Sequence, residues 1–419
     1  MRWLYTIGLY LLFPFILIRL WWRGHKNPDY RHRIVERLGF FPSFEGRPRI
    51  WLHAVSVGET IAAAPLIKKL LLAYPDYRVL VTTTTPTGSA QLRRLFPDQV
   101  EHVYFPYDLP DVVARFLNRV QPKILIIMET ELWPNLSRLC ARQKIPVLIS
   151  NARLSPRSFS GYKKILPLIR PVFVDISMIS PQSEADAQRF QQLGADKKQL
   201  HICGNLKFDL QIPIEASETG EALKRIIGNR PIWIAASTHD GEDEQILDAH
   251  HDILEKFPGA LLILVPRHPE RFDQVAKLCE EKELSIARRS LDQLPESQHQ
   301  VYLGDTMGEL LQLYAAADIA FVGGSLVSTG GHNPLEPAAI GLPVLTGPHV
   351  FNFKAIVDAL SAENAIQIIQ DSPALGKILI HLFQQPDERA ELGSKGRQLV
   401  KQNRGATDCL LDQISVLLG

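Results

Sequence analysis

Short apolar blocks recur along residues 49–210, and most are separated by longer stretches in which apolar positions have helical spacing. Blocks of this length, bounded by turn residues, predict buried strands. Strands that alternate with helices predict a parallel, doubly wound sheet. The predicted strands are residues 50–55, 78–83, 103–105, 123–128, 147–150 and 176–180. A tight loop over residues 56–59 and a helix over residues 60–74 are expected after the first strand.

A second series of apolar blocks begins after a polar, proline-containing stretch at residues 211–218. Its predicted strands are residues 232–236, 260–265, 300–303, 319–322 and 344–346. A chain of 419 residues is too long for one ordinary core, since domains average roughly 150 residues. We therefore predict two Rossmann-like domains that face a cleft, residues 49–210 and 211–419, with the last helix packing back on the first domain.

The amino terminus has a different pattern, because residues 3–22 are apolar except for Arg19 and a few small or hydroxyl residues. About 20 helical residues at about 1.5 Å each cross a hydrocarbon core of about 30 Å. Trp3, Trp21 and Trp22 stand at the two ends of this segment. We predict a membrane anchor at residues 1–22. A helix that lies in the membrane interface is the alternative. A cleaved signal peptide is disfavoured, because no small-x-small cleavage site follows the segment.

Positive charge follows the apolar segment. Residues 1–49 contain nine lysines or arginines and three acidic residues, and residues 23–48 form a basic connector. A basic flank on the carboxyl side of an anchor predicts that the remainder of the protein lies in the cytoplasm. The whole chain, in contrast, has a net charge of only +1, which argues against nucleic acid as a partner.

Cysteine and histidine usage indicates neither a disulfide framework nor a metal site. The four cysteines show no paired spacing, which is typical of a reducing compartment and argues against structural zinc. They are Cys140, Cys203, Cys279 and Cys409. His53, His239 and His332 lack the spacing of metal ligands, so we predict no metal.

The most informative stretch is residues 321–348, FVGGSLVSTGGHNPLEPAAIGLPVLTGP. Its glycine pairs allow the main chain to approach a ligand closely, and Pro334 suits the first turn of a helix whose free N–H groups attract phosphate. Glu336, about one turn further, is placed to accept hydrogen bonds from ribose hydroxyls. Strand, glycine-rich loop, helix and strand is a nucleotide-binding arrangement. Ordinary turns of an α/β domain are the alternative.

Acidic residues follow two predicted strands of the first domain. Glu59 comes at the start of the helix after the first strand, where open α/β sheets bind ligands, and it could accept a proton as a general base. Its alternative role is to complement the helix dipole, worth about 0.3–1 kcal/mol. Glu129 ends the apolar run ILIIM, and Glu131 follows it; a carboxylate there is costly unless it is paired or used. A structural salt bridge is the other interpretation.

Basic residues occupy comparable positions. Arg267 and His268 come directly after a buried strand and suit a phosphate. Lys207, in GNLKFD, lies near the predicted junction between the domains. The run from Arg153 to Lys164 is either a solvated loop or a clamp for an anionic, membrane-borne substrate.

Long motifs spread over nearly the entire chain resemble the Kdo (3-deoxy-D-manno-octulosonic acid) transferases of Gram-negative bacteria. They are WLHAVSVGE, TTTTPTG, METELWPNL, NARLSPRS, GNLKFD, ASTHDGEDE, LVPRHPERF, GDTMGELLQLYAAADIAFVGGS and GGHNPLEPAAIGLPV. This resemblance implies an inverting glycosyltransferase of the GT-B fold in lipopolysaccharide biosynthesis. It also implies CMP-Kdo as the donor and the lipid A precursor lipid IV-A as the acceptor, at the cytoplasmic face of the inner membrane and without a cofactor or metal.

The same resemblance implies roles for individual residues. Glu59 would accept the proton of the acceptor hydroxyl, and Glu129 and Lys207 would stabilise the transition state. The residues implied to hold CMP are Arg267, His268, Met307, Gly308, Glu309, Asn333, Pro334, Leu335 and Glu336.

Two other function classes fit part of the pattern. A nucleotide-sugar epimerase of similar fold would have the nucleotide site but would need no membrane anchor and no basic acceptor face. A membrane-tethered nucleotide-binding protein without catalytic activity would need neither Glu59 nor Glu129. The anchor and the acidic positions together favour a transferase.

Overall fold

The computed structural model describes residues 1–44 and 46–419 and divides them into two compact units. Glu45, one of the three acidic residues near the amino terminus, and the side chain of Lys26 lie outside the described part. Unit 1 comprises Met1–Asp209 and Arg404–Gly419, and unit 2 comprises Leu210–Asn403. Each unit is a parallel sheet covered by helices on both faces.

The sheet of unit 1 has six parallel strands in the order β3-β2-β1-β4-β5-β6. They are β1 (Arg49–His53), β2 (Arg78–Thr83), β3 (Glu101–Tyr104), β4 (Pro122–Met128), β5 (Val147–Ala152) and β6 (Met178–Pro181). All six predicted strands are confirmed, with ends shifted by a few residues. Because the middle residues of the central strands are apolar and buried, both faces of this sheet can be covered.

Helices cover the sheet of unit 1 between the strands. They are α1 (Arg2–Lys26), α2 (Val57–Ala73), α3 (Pro86–Leu95), α4 (Pro110–Val120), α5 (Pro134–Arg142), α6 (Pro156–Lys164), α7 (Leu166–Asp175) and α8 (Glu184–Leu193). Four of them have a serine or threonine N-cap that accepts a hydrogen bond from the backbone of the first turn. Ser56 is the cap of α2, so the predicted loop over 56–59 is wrong and Glu59 lies in the first turn of the helix.

The sheet of unit 2 has seven parallel strands in the order β13-β12-β11-β7-β8-β10-β9. They are β7 (Ile232–Thr238), β8 (Leu261–Pro266), β9 (Ile286–Arg288), β10 (Val301–Leu303), β11 (Ile319–Val322), β12 (Val344–Thr346) and β13 (Ile366–Ile368). All five predicted strands are confirmed. The sequence analysis missed the two edge strands, β9 and β13, because each contains a polar residue among its three and neither is fully buried.

The helices of unit 2 lie on both faces of its sheet. They are α9 (Ile214–Ile227), α10 (Asp243–Lys256), α11 (Phe272–Glu281), α12 (Leu310–Ala316), α13 (Leu335–Ile340), α14 (Lys354–Ala362), α15 (Ser372–Gln384) and α16 (Pro386–Gln402). Most of the polar stretch at residues 211–218 therefore belongs to α9 rather than to a linker. Its alanine and glutamate content suits a helix, a feature that its proline concealed.

The last helix, α17 (Ala406–Leu418), belongs to unit 1. Ala406, Leu410 and Ile414 enter the core on the α2 face of the first sheet. At its start the carboxylate of Asp209 accepts hydrogen bonds from the backbone N–H groups of Gly405 and Thr407. The chain leaves unit 1 after Asp209 and re-enters it at Arg404, and these hydrogen bonds hold the two segments together within unit 1.

The return of α17 to unit 1 brings two cysteines together. Cys203 and Cys409, separated by 206 residues, form a disulfide with Cα atoms 5.6 Å apart. Cys140 and Cys279 are free and buried. The expectation that the cysteines form no pair is wrong for the first two, since tertiary folding brings together residues whose spacing along the chain shows no pattern.

The amino-terminal helix α1 packs along unit 1 while one of its faces stays exposed. Tyr5 donates a hydrogen bond to Asp108 (3.0 Å) and Tyr10 donates one to Asp111 (2.6 Å). The opposite face carries large exposed side chains, among them Leu11 (71 % exposed) and Trp22 (74 %). Among the described residues α1 is the one helix whose length and composition suffice to cross a membrane, so it is compatible with an anchor.

Candidate active site

Glu59 lies at the carboxyl edge of the unit 1 sheet, in the first turn of α2. One carboxylate oxygen accepts a hydrogen bond from the backbone N–H of Val55 (2.8 Å), and the other accepts one from the hydroxyl of Ser56 (3.3 Å). Ser56 Oγ in turn accepts a hydrogen bond from the N–H of Glu59 (3.4 Å). This reciprocal arrangement is close to a capping box, so the helix-capping role of Glu59 is real.

Glu59 also has a strongly shifted pKa. The pKa of its carboxyl group is raised from 4.5 to about 7, mainly because burial removes the hydration of the charged form, with a contribution from the nearby carboxylates of Glu129 and Glu131. The hydrogen bonds from Val55 and Ser56 act in the opposite direction. A carboxyl group with a pKa near 7 can both accept and release a proton at neutral pH, as a general base requires.

Glu129 directly follows β4, and Lys207 lies in the short 3-10 helix Leu206–Asp209, near the end of the neighbouring strand β5. Glu129 follows β4 in a left-handed backbone conformation (φ +57°), which is costly for any residue other than glycine. Its half-buried side chain makes no hydrogen bond within the part of the chain that the structure describes. Lys207 lies next to Leu206, whose N–H donates to the Asn151 side chain at the end of β5 (3.1 Å). The fold therefore brings Glu59, Glu129 and Lys207 to the same edge of one sheet.

A hydrogen-bonded chain at the same edge involves residues to which the sequence analysis assigned no role. His53 Nδ1 contacts the Thr82 hydroxyl (3.0 Å), and His53 Nε2 contacts a carboxylate oxygen of Glu131 (3.2 Å). The indole N–H of Trp133 donates to that oxygen as well (3.0 Å). Glu131 is thus paired within the protein, which agrees with the salt-bridge interpretation of this carboxylate in the sequence analysis. The sequence feature that could have identified His53 is its position at the end of the first strand.

The basic run from Arg153 to Lys164 is mostly helix α6 rather than a loop. Its start lines a hollow of about 330 Å³ together with Glu129 and Tyr162. The Arg153 N–H donates to the Thr130 hydroxyl (3.1 Å), which fixes the backbone beside Glu129. The hollow has both an acidic and a basic wall and is open to a polar ligand.

The glycine-rich segment of unit 2 is held by a buried carboxylate that the sequence analysis overlooked. Glu242 accepts hydrogen bonds from the backbone N–H groups of Gly324 (2.6 Å), Ser325 (2.8 Å) and Leu326 (2.8 Å), and from that of His239 (3.0 Å). Four N–H donors compensate the cost of burying this charge. Glu242 therefore fixes the loop after β11 against the loop after β7.

Close approach of backbones explains why this loop contains glycine. A Cβ atom on Gly323 would lie 2.9 Å from the carbonyl oxygen of Ser237. Gly331 has φ +75°, a conformation that favours glycine. Pro334 precedes the short helix α13, so the predicted helix start is confirmed within one residue. Glu336 accepts a hydrogen bond from Asn333 (3.3 Å), and burial raises the pKa of its carboxyl group.

Histidines and an arginine gather at the ends of β7, β8 and β11. The Nε2 atoms of His239 and His332 are 2.8 Å apart, so one ring donates the hydrogen and the other accepts it. The pKa of His332 is lowered to about 4, mainly by burial and in part by the neighbouring His239, Arg267 and His268. The exposed guanidinium of Arg267 has no hydrogen bond or ion pair with any described residue. This cluster offers an anion several donors.

Met307, Gly308 and Glu309 follow β10, next to β8 in the sheet. Met307 is 53 % exposed, and Gly308 has φ +91°. The Glu309 carboxylate is engaged within the protein, since Arg289 donates to both of its oxygens (2.9 and 3.1 Å) and Thr306 donates to one. Any contribution of Glu309 to a ligand therefore comes through its backbone or through this ion pair.

The structure thus brings the predicted residues together in two groups. Glu59, Glu129 and Lys207 lie at the carboxyl edge of the first sheet, and the residues predicted to hold CMP lie at the carboxyl edge of the second. His53, Glu242, His239 and His332 join these groups as residues without a predicted role. Their positions could have identified them, because each lies at or shortly after the carboxyl end of a strand or in the glycine-rich loop.

Comparison with known proteins agrees with this arrangement. Residues 32–210 match the family model described as 3-deoxy-D-manno-octulosonic-acid transferase (kdotransferase). The 3-deoxy-D-manno-octulosonic acid transferase of Haemophilus influenzae is 45 % identical over 100 % of this chain and 99 % of its own length. That of Bordetella pertussis is 35 % identical over 100 % of both chains.

Solved structures establish the fold class. The UDP-GlcNAc 2-epimerase of Neisseria meningitidis, bound to UDP-GlcNAc, matches 87 % of this chain and 99 % of its own with a TM-score of 0.59 and 14 % identity. A glycosyltransferase of Rickettsia africae matches 89 % and 98 % with a TM-score of 0.54 and 13 % identity. Similarity at this level of identity concerns the fold alone. The predicted fold, two Rossmann-like α/β units of the GT-B type, is confirmed.

Proposed function

The chain belongs to the family of 3-deoxy-D-manno-octulosonic acid transferases, and from this premise we propose that it moves Kdo from CMP-Kdo to lipid IV-A with inversion at the anomeric carbon. The observation that carries the proposal is Glu59, a partly buried carboxylate with a pKa of about 7 at the carboxyl edge of a parallel sheet. This is the position where open α/β sheets bind ligands.

Glu59 acts as the general base of this reaction. The acceptor hydroxyl oxygen forms a bond to the anomeric carbon of Kdo while the bond from that carbon to the phosphate oxygen breaks. The hydroxyl proton passes to Glu59, and the electron pair of the broken bond leaves with CMP. Val55 and Ser56 hold the carboxylate in one orientation, so little reorganisation accompanies the proton transfer.

Glu129 and Lys207 stabilise the transition state. Positive character develops on the ring of the transferred sugar, which a carboxylate at the Glu129 position attracts. The strained backbone of Glu129 supports this role, since strain of this kind is concentrated at functional sites. The Lys207 ammonium complements the carboxylate of Kdo or the departing phosphate.

The donor nucleotide is held by unit 2. Arg267 and His268 bind the phosphate, the glycine-rich loop and residues Asn333–Glu336 approach the nucleoside, and Met307–Glu309 complete the site. The unpaired guanidinium of Arg267 and the donors near it favour an anionic group there. We propose that these groups neutralise the leaving phosphate without a divalent metal.

The acceptor reaches the enzyme from the membrane. Helix α1 anchors the protein to the cytoplasmic face of the bacterial inner membrane, where it contacts membrane lipids. Support comes from its exposed apolar face and from the basic residues that follow it. The acceptor is a lipid, so an enzyme that stays at the bilayer meets it without extracting it into water.

A transfer assay with purified protein tests the proposal. Radiolabelled lipid IV-A, CMP-Kdo generated in the reaction and EDTA are incubated with the enzyme, and products are separated by mass. Products heavier by one or more Kdo units are expected, and their masses count the residues transferred. Unchanged lipid IV-A from a protein that still binds CMP would contradict the acceptor or the reaction.

A further inference from the structure

A largely apolar cavity of about 280 Å³ lies within unit 1, between α1 and the loops at the carboxyl edge of the sheet. Leu9, Phe13 and Ile16 of α1 form one wall, and Phe105, Leu109 and Trp133 belong to the other. No role in the transfer reaction has been assigned to this space above. Its volume is near the lower end of the range for ligand pockets, about 300–1,000 Å³.

The cavity adjoins the proposed general base. Val55, whose N–H holds the Glu59 carboxylate, lines the cavity, as does Glu131. A molecule with an apolar part in the cavity therefore carries its next polar group close to Glu59. Continuity between an apolar pocket and a proton acceptor suits a substrate that is amphipathic.

A buried cation in the wall points to the same kind of ligand. Arg37 is 4 % exposed, and its Nη2 donates to the backbone oxygen of Thr84 (2.8 Å). Its Nε is buried and has no hydrogen-bond partner among the described residues. Arg37 is among the residues that line the cavity, so its positive charge lies beside the apolar lining, as an amphipathic anionic ligand requires.

The wall formed by α1 indicates where the ligand comes from. The face opposite the cavity exposes large apolar side chains, including Leu11 and Phe15 (67 % exposed). One helix thus separates the cavity from an apolar surface suited to a bilayer. A ligand from the membrane meets this helix first.

We infer that the cavity between α1 and the sheet edge takes one acyl chain of the lipid acceptor, with the positive charge of Arg37 in its wall favouring the anionic head group. The inference rests on the proposed transfer to a lipid. A chain that moves from a bilayer into this cavity gains little from the hydrophobic effect, because both environments are apolar. The contribution of the cavity is orientation: it places the head group, and hence the attacking hydroxyl, beside Glu59.

Cross-linking tests the location of the acyl chain without requiring transfer. Lipid IV-A with a photoactivatable group on one acyl chain is mixed with the full-length enzyme in detergent micelles, irradiated, and the adducts are mapped by mass spectrometry. Adducts on Leu9, Phe13 or Trp133 are expected. Adducts confined to the outer face, at Leu11, Phe15 or Trp22, would overturn the inference.

A variant that fills the cavity provides the kinetic test. We expect Leu9→Trp to lower kcat/KM with lipid IV-A by about tenfold or more, because the displaced chain misplaces the head group. With the deacylated sugar phosphate as acceptor the loss should stay within about twofold, as for a surface substitution. Leu72→Trp, at an 81 % exposed position of α2, is the matched control and should change neither value.

The outcomes separate the inference from the proposed function. Equal losses with both acceptors would contradict a role for the cavity in binding the acyl chain. No transfer by the unmodified enzyme to either acceptor would instead contradict the proposed function, and the cross-linking result would still decide whether the cavity holds an acyl chain.

Discussion

The carboxyl edges of the two sheets have the same architecture and opposite chemistry. In unit 1 the residues after the strands include Glu59, Glu129 and Glu131, whose mutual repulsion and burial favour the protonated form of Glu59. In unit 2 the corresponding positions carry Arg267 and histidines. Its buried carboxylate, Glu242, is used entirely on backbone N–H groups. One edge is therefore suited to accept a proton and the other to bind an anion.

This difference shows how one fold supports two tasks. Parallel strands deliver whatever follows them to a single edge, so the type of residue at each strand end decides the chemistry of that edge. Substitutions at these ends should consequently have separable effects, with losses of rate in unit 1 and losses of donor affinity in unit 2.

The largest effect is expected for Glu59→Gln. Glutamine keeps the shape of the side chain but cannot accept the proton, so kcat should fall by about 10²–10⁴-fold. Titration with CMP should give an unchanged Kd, because the residues proposed to bind the donor lie in unit 2. A loss of CMP affinity as large as that of an Arg267 variant would contradict the separate roles of the two sheet edges.

Arg267→Ala should impair both donor binding and rate. Loss of a charged hydrogen bond to phosphate costs about 1.5–3 kcal/mol, so the Kd for CMP should rise by about 10–100-fold. Calorimetric titration measures this change. Arg225→Ala, on the exposed side of α9, is the matched control. Equal affinity of the two variants for CMP would remove Arg267 from the proposed site.

The pH dependence of the reaction follows from the pKa of about 7 of Glu59. Only the ionised carboxylate accepts a proton, so kcat should rise by about tenfold per pH unit below this pKa and level off above it. Rates measured with saturating substrates between pH 5.5 and pH 8.5, roughly one unit or more on either side of the pKa, locate the midpoint. A profile that is flat through pH 7, with chemistry rate-limiting, would contradict the role of Glu59 as the base.

The smallest effect is expected for Glu242→Gln, because this residue positions the donor loop without reacting. An amide presents an N–H donor to other donors, and one lost buried hydrogen bond costs about 1–3 kcal/mol. The Tm should fall by about 2–4 °C per kcal/mol, with a moderate loss of CMP affinity. Glu244→Gln, two residues further along the chain and exposed, is the control. A variant with normal Tm but no CMP binding would instead assign Glu242 direct contact with the donor.

Local sequence patterns predicted much of both sheets. The central strands contain short runs of apolar residues bounded by turn signals, which is typical of strands buried on both faces. The strand-end positions of Glu59, Glu129, Arg267 and His268 followed directly from the strands. The edge strands β9 and β13 could not be predicted, because pairing with a neighbour, rather than their own pattern, makes them strands.

Other features depend on residues that are distant in the chain. The Cys203–Cys409 disulfide and the capture of Gly405 and Thr407 by Asp209 require that α17 return to unit 1. The raised pKa of Glu59 requires burial and two further carboxylates that arrive on another strand. A linear pattern contains no information about such distances.

The sequence by itself determined the fold class, the central strands, the family resemblance and the positions of the acidic and basic strand ends. The reason is that periodicity and motif are local properties of the chain. Only the tertiary structure decided which of these groups interact: Glu59 with Val55 and its neighbouring carboxylates, and Glu242 with the glycine-rich loop. It also placed α1 against the cavity beside Val55. These properties arise from packing, since burial and distance set the pKa of an acid and the partner of a donor.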